Sequence, residues 1–170
     1  MCCEEEGTLG ARPFFQTADT NGDGTGSVDA RGNYSGAVEE FYVQPGSGEI
    51  LSVEDLIIAI TDSTAMTGGV YGSDLVLTNG MEIQVLNGNN DVRTDVTDGL
   101  PVFTNNDLYR IGEVSELEFG GGDQGLQCIV RFSTPLTVRD SERLAFRLHD
   151  DFSGLVHHYF TVIGSVTHDD

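Results

Sequence analysis

Short apolar runs in which every second residue is hydrophobic are the feature of this sequence that most limits its fold. From Tyr34 onward they alternate with turn residues, and no stretch keeps a helical period. Because successive side chains of a strand point to opposite faces, this pattern predicts strands with one face in a core. The Asn79-Gly80 pair between two such runs is typical of a tight hairpin turn.

The number and spacing of these runs predict the fold class. About eight to ten strands separated by short turns indicate an all-β, antiparallel β-sandwich of jelly-roll type. The β-branched run at 57–60 favours a buried strand over a helix at 53–60. Pro135 cannot donate a backbone hydrogen bond, so it predicts a bend or a sheet edge. The residues predicted to face the core are Leu77, Ile83, Val85, Cys128, Val130, Phe132, Leu144, Phe146, Leu148, Phe160 and Val162.

Residues 1–33 differ from the rest of the chain and predict an extended N-terminal arm, with the β-sandwich domain at 34–170. The arm mixes acids, glycines and threonines, and its apolar pair is Phe14 and Phe15. Phenylalanines in a polar arm suit the anchoring of a partner, so these two are the predicted partner-binding residues. One alternative stays open, namely that the pair covers the open end of the protein's own sandwich.

The charge of the chain argues against several classes of partner. The formal net charge is −20, and all eight basic side chains are arginines. Such a chain repels nucleic acid and anionic membranes, so neither is expected as a partner. No stretch approaches the roughly 20 apolar residues of a membrane span, and the first residues lack a signal-peptide pattern. Three cysteines do not make a disulfide framework, so folding in a reducing cytoplasm is expected.

The sharpest local motif begins like a calcium-binding loop. Asp19, Asn21 and Asp23 place oxygen ligands at the first, third and fifth positions, and Gly24 follows for the tight turn. The last position, where a bidentate glutamate completes such a cage, is Ala30. No cofactor is expected, apart from calcium at this loop. Calcium is expected to bind weakly or not at all, and a plain flexible linker is the favoured alternative.

Other candidate chemistry is sparse. A turn at 151–154 is predicted to set His149 beside His157 on a neighbouring strand, where zinc would need a third ligand. Two surface histidines without a metal are the favoured interpretation. The sequence has no nucleophile elbow, no phosphate-binding glycine loop and no Cys-x-x-Cys pair. Carboxylate pairs can be chosen freely among 28 acids and so identify no hydrolase. The sequence therefore predicts that the protein is not an enzyme.

A succession of strand and turn junctions is distinctive. The junctions are Asn33-Tyr34-Ser35-Gly36, Glu40-Phe41-Tyr42-Val43-Gln44-Pro45, Gly48-Glu49-Ile50, Tyr71-Gly72, Leu75-Val76-Leu77-Thr78-Asn79-Gly80 and Asp150-Asp151-Phe152-Ser153-Gly154-Leu155. This succession, over residues 33–168, resembles small virion structural proteins of tailed bacteriophages. The resemblance implies a capsid decoration (cement) protein, often a homotrimer that staples neighbouring copies of the major capsid protein. It also implies a place on the phage head surface, after assembly in the host cytoplasm.

Two other functions stay open: a tail or fibre component that contacts host glycans, and a carbohydrate-binding β-sandwich module. Glycan-binding sandwiches usually expose several aromatic residues on one face. This chain has no tryptophan, and its five tyrosines are scattered. An acidic hydrolase is the least favoured function.

Overall fold

Nine strands and one short helix make up the part of the chain that the structure describes. The structure is a computed structural model, and it describes residues 11–19, 39–62, 77–118, 124–150, 155 and 157–168. The elements are β1 (Arg12–Asp19), β2 (Glu39–Val43), β3 (Glu49–Asp62), β4 (Met81–Asn87), β5 (Val92–Asp95), α1 (Asn105–Ile111), β6 (Glu113–Glu118), β7 (Gln124–Arg139), β8 (Glu142–Leu148) and β9 (His157–His168).

The strands form two sheets packed face to face. One sheet has five strands in the order β1-β9-β3-β7-β6, and the other has four in the order β2-β8-β4-β5. Neighbouring strands run antiparallel in both sheets. The predicted all-β, antiparallel sandwich is therefore confirmed. The β-branched run at 57–60 lies in β3, the central strand of the larger sheet, so the prediction of a strand there is also confirmed.

The hydrophobic core fills the space between the two sheets. Phe146 of β8 stacks on Phe160 of β9 with ring centroids 4.7 Å apart, which joins the smaller sheet to the larger one. All the residues predicted to face the core are buried except Phe132, which is partly buried and packs against the core. Burial raises the pKa of the Cys128 thiol to about 11, in keeping with its predicted place as a small buried hydrophobe.

The first described strand, β1, belongs to the larger sheet, although the sequence predicted an extended arm at these residues. β1 pairs with β9 along its whole length, from Arg12 opposite Val166 to Asp19 opposite Tyr159. The Arg12 guanidinium lies 2.5 Å from a carboxylate oxygen of Glu49 at the start of β3. This hydrogen bond, with a further one from a backbone N–H, lowers the pKa of Glu49. Residues 12–19 are thus an edge strand among the described residues, and an extended arm over 1–33 is not confirmed.

Two asparagine-containing turns shape the smaller sheet. The Asn87 side-chain oxygen accepts hydrogen bonds from two backbone N–H groups of the β4–β5 turn, and Asn90 takes a positive φ of 68° there. Ahead of β4, the Asp150 carboxylate accepts hydrogen bonds from the backbone N–H groups of Asn79, at 2.8 Å, and Gly80, at 2.6 Å. Gly80 has a φ of 77°, but Asn79 does not take the positive φ that a two-residue Asn-Gly hairpin turn also requires, so the predicted hairpin is not formed. The backbone N–H groups of Leu77 and Met81 instead donate to the carbonyls of Phe103 and Val102. Residues 75 and 76 of the strand predicted before this turn lie outside the described residues.

A bulge in β7 interrupts its ladder with β3 on one side of the sandwich. Residues 132–135 of β7 stand opposite the single residue Glu54 of β3, so the strand bulges out of the ladder there. Pro135 lies in this bulge, which confirms the prediction that it marks a bend. β6 pairs with β7 only as far as Ile129. Beyond that point, among the described residues, β7 has a ladder partner on one side only, and that partner is β3.

Gly164 lies where β9 passes so close to β3 that no side chain fits. A Cβ atom at this position would stand 2.0 Å from the carbonyl oxygen of Ser52. We expect Gly164→Ala to destabilise the fold by about 1–3 kcal/mol, because the strands must move apart to relieve the clash. Gly88→Ala is the control, since its Cβ would meet its nearest atom at an ordinary 3.6 Å. Urea unfolding that gives both variants the wild-type midpoint would contradict this prediction.

Candidate functional site

The two phenylalanines predicted to anchor a partner belong to the edge strand β1. In the ladder, Phe14 lies opposite Gly164 of β9 and Phe15 opposite Ile163. β1 is the last strand of its sheet among the described residues, so its other side is a strand edge. A strand from a partner can extend a sheet at such an edge. Partner binding by these phenylalanines stays a prediction.

The predicted calcium loop falls largely outside the described residues. Asp19 ends β1 opposite Tyr159, whereas Asn21 and Asp23 are not among the described residues. Within the described part of the chain, no group of three or more His, Cys, Asp or Glu side chains is placed to hold a metal ion. Weak or absent calcium binding by the loop also stays a prediction.

His149 and His157 do not lie on neighbouring strands, contrary to the prediction. His149 follows β8 in the four-stranded sheet, and His157 begins β9 in the five-stranded sheet. The connection between them therefore crosses from one sheet to the other instead of closing a hairpin. The Nε2 atom of His149 lies 3.0 Å from a carboxylate oxygen of Glu82, within the smaller sheet.

A groove of about 580 Å³ opens between the two sheets. One wall is β5, which among the described residues is an edge strand of the smaller sheet, and the other is the bulged segment 130–137 of β7. Arg110 and Ile111, at the end of α1, close one side. The volume is in the range of about 300–1,000 Å³ that ligand sites occupy. We call this cavity the β5–β7 groove.

The floor of the β5–β7 groove is an uncovered margin of the core. Among the described residues, five apolar side chains pack against the core without being fully buried. Four of these five line the groove: Val96, Ile111, Phe132 and Leu136. The hydrophobic core is therefore least well covered at this groove, and apolar surface is available there to a ligand.

Two arginines stand on the rim of the β5–β7 groove. Arg93 of β5 reaches across to β7, where it donates to the carbonyl of Thr137, and its Nε lies 2.5 Å from a carboxylate oxygen of Glu142. Arg110 donates to the carbonyl of Leu100, and one of its guanidinium nitrogens lies 3.6 Å from a carboxylate oxygen of Asp107. A guanidinium has five N–H donors, and these side chains are 35% and 33% exposed. Both arginines can therefore offer further donors to a ligand.

Asp95, the acidic residue that lines the groove, holds the turn after β5. Its carboxylate accepts hydrogen bonds from the N–H of Thr97 at 2.9 Å and from the Thr97 hydroxyl at 2.5 Å. It also accepts one from the N–H of Gly99 at 3.1 Å. These bonds fix the turn that leads from β5 towards α1. The acid therefore serves to shape this wall of the groove.

The outer face of the four-stranded sheet carries a network of ion pairs. Arg143 and Arg147 of β8 both contact the Glu40 carboxylate of β2, at 2.6 and 3.4 Å. Arg147 also lies 3.7 Å from Glu82 of β4, so the network spans three strands. The ring of Tyr42 lies beneath Arg143, 5.8 Å from its guanidinium carbon, and is 52% exposed. This face is a polar surface on which the Tyr42 ring is accessible.

Sequence reasoning selected none of the groove residues as functional. Pro135 signalled the bend in β7, but a bend alone does not predict a cavity. Arg93 and Arg110 carry no motif, and only the fold brings β5, α1 and β7 together. The scarcity of basic residues could have drawn attention to them, because the chain has eight arginines against 28 acids.

Comparison with known proteins gives no match. The chain matches no protein family, no curated protein and no solved structure. Among the described residues, no helix combines the length and the apolar composition needed to cross a bilayer.

Proposed function

We propose that the protein is a non-enzymatic virion structural protein, a capsid decoration protein that binds the phage head shell and stabilises it. The partner is the major capsid protein, and the decoration protein itself is a homotrimer. The junctions over residues 33–168, which resemble those of phage virion proteins, support this proposal. A sandwich with an apolar core between two sheets also supports it, because such a fold presents a fixed surface without a cofactor.

The winding of the chain supports a jelly-roll-like sandwich, an architecture found in viral capsid domains. In the larger sheet the N-terminal strand β1 pairs with the C-terminal strand β9, which also pairs with β3. In the smaller sheet β2 and β4 both pair with β8. Early strands thus alternate with late strands in each sheet, except at β5 and β6, which pair with their neighbours in sequence, β4 and β7.

The net charge supports attachment to the outside of the shell. Packaged nucleic acid carries a dense negative charge, and a chain with a formal charge of −20 is repelled by it. The outer surface of a head avoids that repulsion. Electrostatics therefore favours a decorating position over an internal one.

The observation that carries the proposal is the position of β1 at the edge of the larger sheet. A strand edge offers unpaired backbone groups that a neighbouring subunit or capsid strand can use. Phe14 and Phe15 both lie on this edge strand. An N-terminal edge strand can thus perform the contact role that the sequence assigned to a free arm.

The test is to mix purified protein with particles that lack it. We expect the protein to co-sediment with the particles and to raise the temperature at which they break. Replacing Phe14 and Phe15 together with alanine should weaken binding by at least about tenfold, since buried aromatic anchors carry much of the energy of an interface. Tyr109→Ala, which removes a 57% exposed ring on α1, is the control and should bind normally.

Sedimentation of the free protein tests the oligomeric state, and a trimer of the 18.3 kDa chain is expected. A protein that neither binds nor protects the particles would refute the decoration role. Binding to host cells or to a glycan array in that case would favour a tail or carbohydrate-binding function, for which the exposed Tyr42 is a candidate contact.

A further inference from the structure

We infer that the β5–β7 groove receives an extended polypeptide segment in which apolar side chains alternate with acidic ones. The groove lies between β5 and β7, whereas the capsid contact proposed above uses β1. The inference therefore does not depend on capsid binding, and the two can fail separately.

Both walls of the groove are strand edges. β5 is the last strand of its sheet, and β7 beyond Ile129 has β3 as its only ladder partner among the described residues. At one point on β7 the carbonyl of Thr137 accepts a hydrogen bond from the Arg93 side chain. This carbonyl, at the edge of β7, is thus bonded to a side chain and not to the backbone of another strand. An extended peptide can supply backbone N–H and C=O groups to such edges.

The floor supplies the attraction for apolar side chains. Phe132 is the first residue of the bulge in β7 and Leu136 follows the bulge. Val96, directly after β5, and Ile111, at the end of α1, line the groove from the other elements. These side chains already pack against the core but remain partly exposed. Covering them would remove apolar surface from water, which favours binding. Every second residue of a strand points the same way, so a partner needs apolar residues at alternate positions.

The rim supplies the selectivity for carboxylates. Arg93 and Arg110 are two of only eight basic residues in a chain with 28 acids. Guanidinium groups bind carboxylates through paired, charge-assisted hydrogen bonds. A surface with this net charge repels an acidic segment at long range, so such a segment is held only where arginines meet it. The groove combines two arginines with an apolar floor, whereas Arg12 and Arg131, whose side chains are more exposed, lie outside it. A basic peptide would adhere at many places on the surface.

The experiment uses the full-length protein and an acetylated peptide of alternating glutamate and valine, about eight residues long. Binding is followed by calorimetry at near-physiological salt. We expect saturable binding at one site per chain. A peptide with lysine in place of glutamate should not compete for that site. The same peptide with N-methylated valines should bind at least about tenfold more weakly, because it cannot donate backbone hydrogen bonds to a strand edge.

Two variants locate the site. Arg110→Gln removes a rim charge, and Thr134→Trp fills the groove from an exposed position in the β7 bulge, outside the ladder. Each should raise the Kd of the acidic peptide about tenfold or more. Arg12→Gln makes the same change of charge on β1, at the far edge of the sheet, and should leave the Kd unchanged.

Three results would overturn the inference. The first is no binding of the acidic peptide at millimolar concentration. The second is equal binding by Thr134→Trp, which would place the site elsewhere. The third is equal affinity for the N-methylated peptide, which would exclude strand pairing. Thermal unfolding of each variant shows whether it is folded, and Thr134→Trp keeps the test decisive if Arg110→Gln is unstable.

Discussion

Replacing Phe146 with alanine is expected to lower the free energy of unfolding by about 3–5 kcal/mol. Phe146 is fully buried in β8 and stacks on Phe160 of the opposite sheet at 4.7 Å. Its ring also meets the ring of His158 edge to face, with centroids 5.1 Å apart. Truncation would leave a cavity between two sheets whose backbones are fixed by their ladders, so the space cannot close fully. A domain is stabilised by only about 5–15 kcal/mol, which makes this loss a large share.

Urea unfolding of purified variants measures this effect. Phe146→Leu should cost less than Phe146→Ala, because leucine fills part of the cavity. Tyr109→Ala removes an aromatic ring that is 57% exposed, and it should stay within about 0.5 kcal/mol of the wild type. If Phe146→Ala and Tyr109→Ala had equal midpoints, the stack between the sheets would not be the centre of the core.

The core could be predicted from the sequence because the alternation of side chains is a local property of a strand. Ile83 and Val85 in β4, or Leu144 and Phe146 in β8, reach the core through the same period of two that appears in the sequence. A buried face requires apolar residues at these positions, whatever the partners of the strand are. Fold class and buried faces therefore follow from pattern alone.

Pairing between strands could not be predicted in the same way. The ladder of β1 with β9 joins Arg12 to Val166, and nothing local in residues 12–19 distinguishes an edge strand from an arm. The histidine prediction failed for the same reason, since a turn signal does not tell whether the next strand enters the same sheet. Contacts between distant parts of the chain depend on the whole topology.

The short helix and the groove were missed for related reasons. α1 has only seven residues, too few for a helical period to be recognised. Its sequence signal was the capping pair, in which the Asp107 carboxylate accepts a hydrogen bond from the N–H of Thr104 at 2.9 Å. The groove depends on this helix, on β5 and on the bulge in β7 at once. Each contributes a few residues, and only the folded chain brings them together.

Acidification is expected to weaken the fold through His158, which is fully buried beside Phe146. Burial lowers the pKa of His158 from 6.5 to about 3, so the ring stays neutral in the folded protein well below pH 6. In the unfolded chain the ring takes up a proton near its ordinary pKa of 6.5. Below pH 6.5 the unfolded state therefore binds a proton that the folded state does not, and the free energy of unfolding falls as the pH is lowered.

The size of this effect follows from the difference in pKa. Each pH unit below 6.5 should remove about 1.4 kcal/mol of the free energy of unfolding, until the folded state also binds the proton near pH 3.

Other ionisable groups of the chain also contribute to the pH dependence, so the measurement is the difference between the wild type and His158→Gln, whose side chain cannot titrate. Between pH 6.5 and 4.5 the two should diverge by about 2.3 kcal/mol in their dependence on pH, because the unfolded ring is already half protonated at pH 6.5. Above about pH 7.5 this group contributes almost no slope, because its ring is then neutral in both states. An NMR titration in which the ring of the folded protein protonates near pH 6.5 would remove the basis for the effect. If the free energies of unfolding of the two proteins fell in parallel from pH 6.5 to 4.5, the prediction would also be contradicted.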